Sequence, residues 1–223
     1  MKSKPIIIVP GEPKSIFFEI FFKSLKIYKS KSPIILISSK NELLSQMKKF
    51  NFKKKVKYFN TQNISKYEIN NKNINLVSID SYNKNNTNIY IRNSFKMAFK
   101  FLKKGISNKL INGPINKTTF LDKKFLGITE YISEQFKIKK KAMLIFNEEI
   151  SVCPVTTHLP IKLVSKAISK RIISDKVILL NDFFKKNMGF KPKIAVTGLN
   201  PHCESILKFN EDEKIIRPTI KSL

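Results

Sequence analysis

The chain has 223 residues, is 42% hydrophobic and carries a formal net charge of +27. This length is enough for one large domain or two small ones with a buried core. No stretch reaches the roughly 18 apolar residues that span a bilayer. The apolar run within the first ten residues is too short for a signal peptide. We therefore expect a cytoplasmic protein with no membrane partner.

The positive charge would by itself suggest a nucleic-acid partner. However, only three of the 43 basic residues are arginines, the type preferred for bidentate contacts to phosphate and guanine. The lysines are spread along the whole chain, and the accompanying abundance of Asn, Ile and Phe reflects AT-rich codons. We expect no dedicated nucleic-acid partner, although a basic surface would help attract phosphorylated substrates. A non-enzymatic basic protein that binds nucleic acid remains the alternative.

The first half of the chain alternates between strand and helix patterns. Short β-branched or apolar runs predict strands, and apolar residues at helical spacing predict helices. The polar segment 81–88 predicts a surface loop. Strands are predicted at 6–9, 33–38, 56–58, 74–79 and 109–112, and helices at 16–29, 41–49 and 90–104.

The second half predicts helices at 129–136, 160–167, 174–186 and from 211 onward, with Gly189 as a stop signal. Strands 142–146 and 150–155 predict a hairpin, and 193–197 predicts a further strand. This alternation favours an α/β protein with a largely parallel sheet and a second sub-domain. We expect a first domain over 1–125 and an incomplete second one over 126–223.

The two histidines are the most informative polar residues. His158 lies in the Thr-Thr-His-Leu-Pro sequence 156–160 and His202 in the Gly-Leu-Asn-Pro-His sequence 198–202. Both are expected at strand carboxyl ends, where open α/β sheets gather ligands, and histidine is a common metal ligand. A hydrogen-bonded structural role is the alternative for each.

Three glycine-containing segments are further candidates. The segment Gly113–Lys117 combines close backbone approach with a lysine charge, and Asn116 as a helix cap is the simpler alternative. The segment Pro10–Pro13 predicts a turn bordering a site. In Gly127–Glu130, Thr129 is placed to bind an anion at a helix N-terminus, although capping explains it equally well.

Several common site motifs are absent from the sequence. It contains no Gly-x-Gly-x-x-Gly fingerprint, no His-Glu-x-x-His and no P-loop. The two cysteines, Cys153 and Cys203, form no Cys-x-x-Cys pair. An ordinary Rossmann site, a zinc ribbon and a nucleotide kinase are therefore not supported.

Taken together, these segments resemble the 4-hydroxythreonine-4-phosphate dehydrogenase family, PdxA. The matching segments, in the family's order and spacing, are 9–13, 110–117, 125–130, 156–160 and 194–202. The resemblance covers essentially the whole chain. The segments that contain the two histidines are the most specific.

The resemblance implies an isocitrate/isopropylmalate dehydrogenase-like fold and a homodimer with a shared active site. It implies oxidation of 4-phosphohydroxy-L-threonine by NAD or NADP, followed by decarboxylation, in vitamin B6 biosynthesis. His158 and His202 match two of three ligands to a divalent metal, which could be zinc, magnesium or cobalt. Position 128, Thr129 and Lys117 match substrate contacts, whereas no catalytic acid or base and no cofactor-binding residue is assigned.

Three departures from the family pattern bear on activity. The family's histidine before Thr129 is replaced by Ile128, the glycine-rich continuation of the Pro10–Pro13 turn is replaced by bulkier residues, and the sequence stops at Leu223. The family's third metal histidine lies beyond that point, and catalytic metal sites usually need three protein ligands. We expect weaker metal binding, exposed apolar surface and unpaired strand edges in this chain. A related dehydrogenase for another phosphorylated hydroxy acid and an inactive fragment are the alternatives.

Overall fold

The computed structural model describes residues 3–59, 69–79, 87–116, 120–121, 124–200 and 210–223. The chain forms two compact units, Met1–Lys124 and Phe125–Leu223. The assignment of domains to 1–125 and 126–223 stays a prediction.

The first unit is a parallel sheet with helices. Its described elements are β1 (Ile6–Val9), α1 (Phe17–Ile27), β2 (Ile34–Ser38), α2 (Lys40–Lys49), β3 (Val56–Phe59), β4 (Ile74–Ser78), α3 (Thr87–Lys103) and β5 (Lys109–Asn112). The five strands lie in the order β3-β4-β2-β1-β5, and every neighbouring pair is parallel. This confirms the predicted α/β class and its largely parallel sheet.

The central strands are formed by β-branched residues that are buried on both faces. Ile7, Val9 and Ile35 are fully buried, as expected for a parallel strand covered on both sides. Helix α1 packs four phenylalanines against the other face of the sheet, in a core shared with Ile8, Leu36 and Leu76: Phe17, Phe18, Phe21 and Phe22. The Ser39 side chain accepts a hydrogen bond from the Glu42 amide and so caps α2.

Strand β1 is the point at which the strand order reverses. Strand β2 lies on one side of it and β5 on the other. In open parallel sheets, ligands bind in the crevice at the carboxyl ends of two such strands. The loops that follow β1 and β5 therefore occupy the position where this fold forms sites.

The second unit is mainly helical in its described part. Helix α6 (Lys170–Phe183) continues into a π-helical segment, Phe184–Met188. Gly189 follows with a left-handed φ of 80°, as predicted for the residue at which the helix ends. Segment 211–223 forms a π-helical turn, Asp212–Ile216, and a short helix, in place of one uniform helix. The helices are α4 (Ile128–Gln135), α5 (Ile161–Ala167), α6 (Lys170–Phe183) and α7 (Arg217–Lys221).

The predicted strands of this unit are much reduced. The hairpin is present as a single antiparallel bridge, in which Ile145 and Val152 exchange two backbone hydrogen bonds of 2.8 and 2.9 Å. The strand predicted at 193–197 is wrong, because that segment pairs with no strand in the described residues and leaves Ile194 38% exposed. Most of the predicted loop 81–88 lies outside the described residues. Among the described helices, none combines the length and apolar character needed to cross a membrane.

Candidate functional site

The loops that follow β1 and β5 are held together by backbone hydrogen bonds. The Gly113 amide donates to Val9 O at 2.8 Å, and the Glu12 amide donates to Pro114 O at 2.8 Å. The Glu12 carboxylate also accepts from the Asn116 amide at 3.2 Å. The turn Pro10–Pro13, predicted to border a site, and the described part of the candidate segment Gly113–Lys117 thus form one structure at the carboxyl edge of the sheet.

Two glycines permit this close approach. A Cβ on Gly113 would lie 1.9 Å from Pro10 O, and one on Gly11 would lie 2.1 Å from Pro114 O. Gly11 also has a left-handed φ of 74°. Any side chain at either position would force the loops apart. Lys117, predicted to contact the substrate, follows directly in sequence but lies outside the described residues.

An apolar groove of about 310 Å³ also lies in this unit, between α1 and strands β1 and β5. Its wall includes Ile8, Phe21, Leu25 and Ile111. A site for a phosphorylated substrate needs converging polar groups. This groove is therefore not the candidate site.

In the second unit, His158 lies exposed in the loop before α5 and adopts a left-handed φ of 57°. Such a conformation is uncommon for residues other than glycine, and histidine is among those enriched in it.

Nearby in sequence, burial raises the pKa of the Cys153 thiol, while Lys176 opposes that shift. A thiol with a raised pKa is a weak nucleophile, so we assign Cys153 no chemical role.

The N-terminus of α4 is the second part of the candidate site in this unit. Its N-cap residue, Gly127, provides no side-chain cap, and the half-buried Ile128 and Thr129 form the first turn. The Ser133 hydroxyl donates to Thr129 O at 2.6 Å. Uncapped amides at a helix N-terminus favour an anionic ligand.

Gly127 brings His158 close to the start of this helix. A Cβ on Gly127 would lie 3.3 Å from His158 Nε2 and 3.0 Å from Glu130 Oε2. The structure thus unites two segments that were separate candidates in the sequence. Sequence reasoning did not single out Glu130; its position in the first turn of a helix, where acidic residues are favoured, was the available signal.

The loop that leads to the second histidine is anchored by Asp212. The Leu199 amide donates to both carboxylate oxygens of Asp212, at 3.1 and 3.3 Å, and Asp212 is only 5% exposed. His202 itself lies outside the described residues, so its place beside His158 stays a prediction. The Asp212 contact could not be predicted, because Asp212 stands between Glu211 and Glu213 and nothing local distinguishes the three carboxylates.

Within the described residues, no group of three or more His, Cys, Asp or Glu side chains is arranged to hold a metal ion. The exposed imidazole of His158 nevertheless offers a nitrogen, a ligand type that suits a divalent transition metal such as zinc. The described residues therefore supply one candidate metal ligand.

Comparison with known proteins identifies the family. Residues 29–223 match the family model described as pyridoxal phosphate biosynthetic protein PdxA. A 4-hydroxythreonine-4-phosphate dehydrogenase of Wigglesworthia glossinidia brevipalpis is 32% identical over 238 aligned positions, covering 100% of this chain and 70% of that relative. One from Sulfurihydrogenibium sp. (strain YO3AOP1) is 37% identical over 139 positions, covering 60% of this chain and 42% of that relative.

The fold agrees with this result and confirms the expected isocitrate/isopropylmalate dehydrogenase-like fold. A crystal structure of 4-hydroxythreonine-4-phosphate dehydrogenase from Klebsiella pneumoniae superposes with a TM-score of 0.80 at 20% identity, covering 99% of this chain and 71% of that one. The chain therefore spans less than half of one curated relative and about seven-tenths of another. Since the family model covers most of the sequence, the chain belongs to the PdxA family of pyridoxal phosphate biosynthetic proteins.

Proposed function

We propose that this chain carries substrate- and metal-binding parts of a 4-hydroxythreonine-4-phosphate dehydrogenase. The reaction is oxidation of 4-phosphohydroxy-L-threonine by NAD or NADP, followed by loss of CO2, in the cytoplasm. The observation that carries the proposal is the approach of His158 to the first turn of α4, which brings together two segments matching family site segments. The relatives' names supply the reaction class.

His158 and His202 would hold a divalent zinc, magnesium or cobalt ion in this site. When bound, such an ion polarises the substrate oxygen as hydride leaves for the nicotinamide and stabilises the negative charge that decarboxylation develops. His158 is exposed, so such an ion can reach its ring. The left-handed backbone conformation of His158 sets the direction in which its side chain leaves the chain. A third protein ligand would be needed to complete a catalytic metal site.

The start of α4 and Lys117 would bind the substrate. The helix N-terminus favours an anionic group, and the Thr129 hydroxyl adds a donor beside it. Ile128 contributes only apolar surface, where the family supplies a histidine. Lys117 would add a positive charge for the phosphate or carboxylate. A homodimer would complete the site from two subunits.

Turnover of 4-phosphohydroxy-L-threonine tests the proposal. Nicotinamide reduction would be followed with NAD and NADP, with each of the three metals, for this chain and for the complete product of its gene. We expect metal-dependent turnover by the complete product and its loss in His158→Ala. The matched control is Lys162→Ala, which changes an exposed residue at the start of α5. Failure of the complete product to turn over the substrate would refute the enzyme assignment.

Ile128 supports a second candidate, a dehydrogenase for another phosphorylated hydroxy acid. Loss of a hydrogen-bonding side chain beside the substrate changes which polar groups the site can satisfy. A panel of phosphorylated hydroxy acids, tested on the complete product of the gene and on its Ile128→His variant, separates the two candidates. Activity confined to 4-phosphohydroxy-L-threonine in both proteins would eliminate the second candidate.

A further inference from the structure

Backbone hydrogen bonds alone already join the loops that follow β1 and β5. The Gly113 amide donates to Val9 O at 2.8 Å. The Glu12 amide donates to Pro114 O, also at 2.8 Å. Neither bond uses a side chain, so a substitution at Glu12 leaves both groups of atoms in place. The carboxylate of Glu12 is therefore not needed to join the two loops.

The Glu12 side chain reaches two residues further along the second loop. Its Oε1 atom accepts a hydrogen bond from the Asn116 amide at 3.2 Å, between residues 104 positions apart in sequence. Glu12 is half-buried. A hydrogen bond to an ionised acceptor is roughly twice as strong as one between neutral groups. The carboxylate thus fixes the backbone of Asn116 at the carboxyl edge of the sheet.

A second set of contacts holds the chain a few residues later. Asn116 O accepts a hydrogen bond from the Phe120 amide at 3.0 Å. The Phe120 ring is 1% exposed and stacks on Phe95, with 5.4 Å between the ring centroids. Arg92 donates to Phe120 O at 3.1 Å. Asn116 and Phe120 are therefore both held in place, and Glu12 supplies the contact at the amide of Asn116.

We infer that Glu12 is a positioning residue for substrate binding. Lys117 is the next residue after Asn116, so the hydrogen bond from the Asn116 amide limits where the backbone of Lys117 begins. Lys117 is a proposed contact of the substrate phosphate or carboxylate, and this part of the inference rests on the proposed function. The hydrogen bond between Glu12 and Asn116 does not.

Hydrogen exchange at the Asn116 amide tests the contact without substrate, metal or cofactor. We expect Glu12→Ala to accelerate this exchange about tenfold or more, because the amide loses a charged acceptor. Glu12→Gln keeps a carbonyl oxygen at the same reach and should restore most of the protection. The matched control is Glu42→Ala, which removes another half-buried carboxylate, one that accepts from Gln46 in α2. It should leave exchange at Asn116 unchanged.

A further variant keeps the test independent of the folding of Glu12→Ala. Glu12→Met retains the length and bulk of the side chain but has no carboxylate oxygen. It should accelerate exchange at Asn116 as Glu12→Ala does, with the thermal unfolding midpoint measured to verify folding. Wild-type exchange at Asn116 in either folded variant would overturn the contact.

Steady-state kinetics of the complete gene product test the positioning role. Loss of an interaction made equally to substrate and transition state raises KM and leaves kcat unchanged. We expect Glu12→Ala to raise KM for 4-phosphohydroxy-L-threonine about tenfold, with KM restored in Glu12→Gln. A role in stability alone would reduce the amount of active enzyme, and hence the apparent kcat, without changing KM. An unchanged KM in folded Glu12→Ala would overturn the positioning role.

A double-mutant cycle shows whether Glu12 acts through Lys117. In a Lys117→Ala background, Glu12→Ala should raise KM further by less than about twofold, because residues that act through one contact are not additive. Fully additive effects on KM would contradict the inference.

The exchange and kinetic measurements separate this inference from the proposed function. Accelerated exchange at Asn116 with an unchanged KM would refute positioning by Glu12 and leave the enzyme assignment intact. If exchange is accelerated but the complete wild-type product does not turn over the substrate, the contact is supported. The proposed function and the role of Glu12 in substrate binding would then both be wrong.

Discussion

At the residue scale, glycine serves two separable purposes in this chain. Gly11 and Gly105 have nearly equal left-handed φ angles, 74° and 69°. A Cβ on Gly11 would lie 2.1 Å from Pro114 O, whereas nothing lies within 4 Å of one on Gly105. Comparing substitutions at Gly11 and Gly105 therefore distinguishes the free-energy cost of the left-handed backbone from the cost of the steric clash with the neighbouring loop.

We predict that Gly11→Ala destabilises the protein much more than Gly105→Ala. Forcing alanine into the left-handed region costs about 1–2 kcal/mol, which both variants share. Gly11→Ala must also displace the loop after β5, and we expect a total above about 4 kcal/mol, the range reached by severe clashes. Urea unfolding of both variants measures the difference. Equal losses would mean that the two loops are not in contact in solution.

Residue patterns predicted part of the candidate site. The loop containing His158 and the first turn of α4 were both identified from sequence, and the structure places them beside one another. The position of Glu130 in the first turn of α4 could be predicted, but the burial of its Oε2 atom could not, because burial depends on tertiary packing. Lys117 and His202 lie outside the described residues, so their roles stay predictions.

At the element scale, the first unit was more predictable than the second. Strands β1, β2 and β4 are apolar runs with buried partners on both sides, so local pattern and tertiary context agree. The segment 193–197 has an equally suitable run but no neighbouring strand among the described residues. Strand propensity mostly reflects packing against neighbours, which explains the wrong prediction.

The contact between Asp212 and the Leu199 amide gives a prediction about how the segment after 193–197 is held in place. Asp212→Asn keeps one acceptor oxygen but turns an amide donor toward the Leu199 N–H. We expect a loss of about 1–3 kcal/mol in the free energy of unfolding, the cost of a buried group left without its partner. Hydrogen exchange at the Leu199 amide should accelerate as well.

The control for this prediction is Asp182→Asn. Asp182 is exposed at the end of α6, and its side chain accepts only a long 3.4 Å hydrogen bond from Asn181. It should leave both the unfolding free energy and the Leu199 exchange rate near their wild-type values. A similar effect of the two substitutions would show that general charge, and not the Leu199 contact, is responsible.

At the scale of the whole molecule, composition and site suggest different partners. The net charge of +27 would suit a polyanion, whereas membership of the PdxA family supports the proposed small phosphorylated substrate. Composition alone could not decide between these two kinds of partner, because it does not say where in the sequence or on the surface the charged residues lie. The ordered motifs decide in favour of the dehydrogenase family.

This contrast yields a prediction for duplex DNA. Lysine-rich surfaces bind phosphate through counterion release, which is independent of sequence and falls steeply with salt. We expect affinity for DNA only at low salt, with at least about a thousandfold loss between 50 and 200 mM if six or more phosphates are contacted. Fluorescence anisotropy with two unrelated duplexes measures both properties.

Measuring substrate binding over the same range of salt distinguishes DNA binding from the proposed dehydrogenase function. If DNA binding were the biological role, affinity would persist at physiological salt and differ between the duplexes by the 10³-fold or more that specific recognition provides. Binding of 4-phosphohydroxy-L-threonine involves few charges and should depend only weakly on salt over the same range. If the protein still bound DNA at high salt but no longer bound the small phosphorylated substrate, the proposed dehydrogenase function would be wrong.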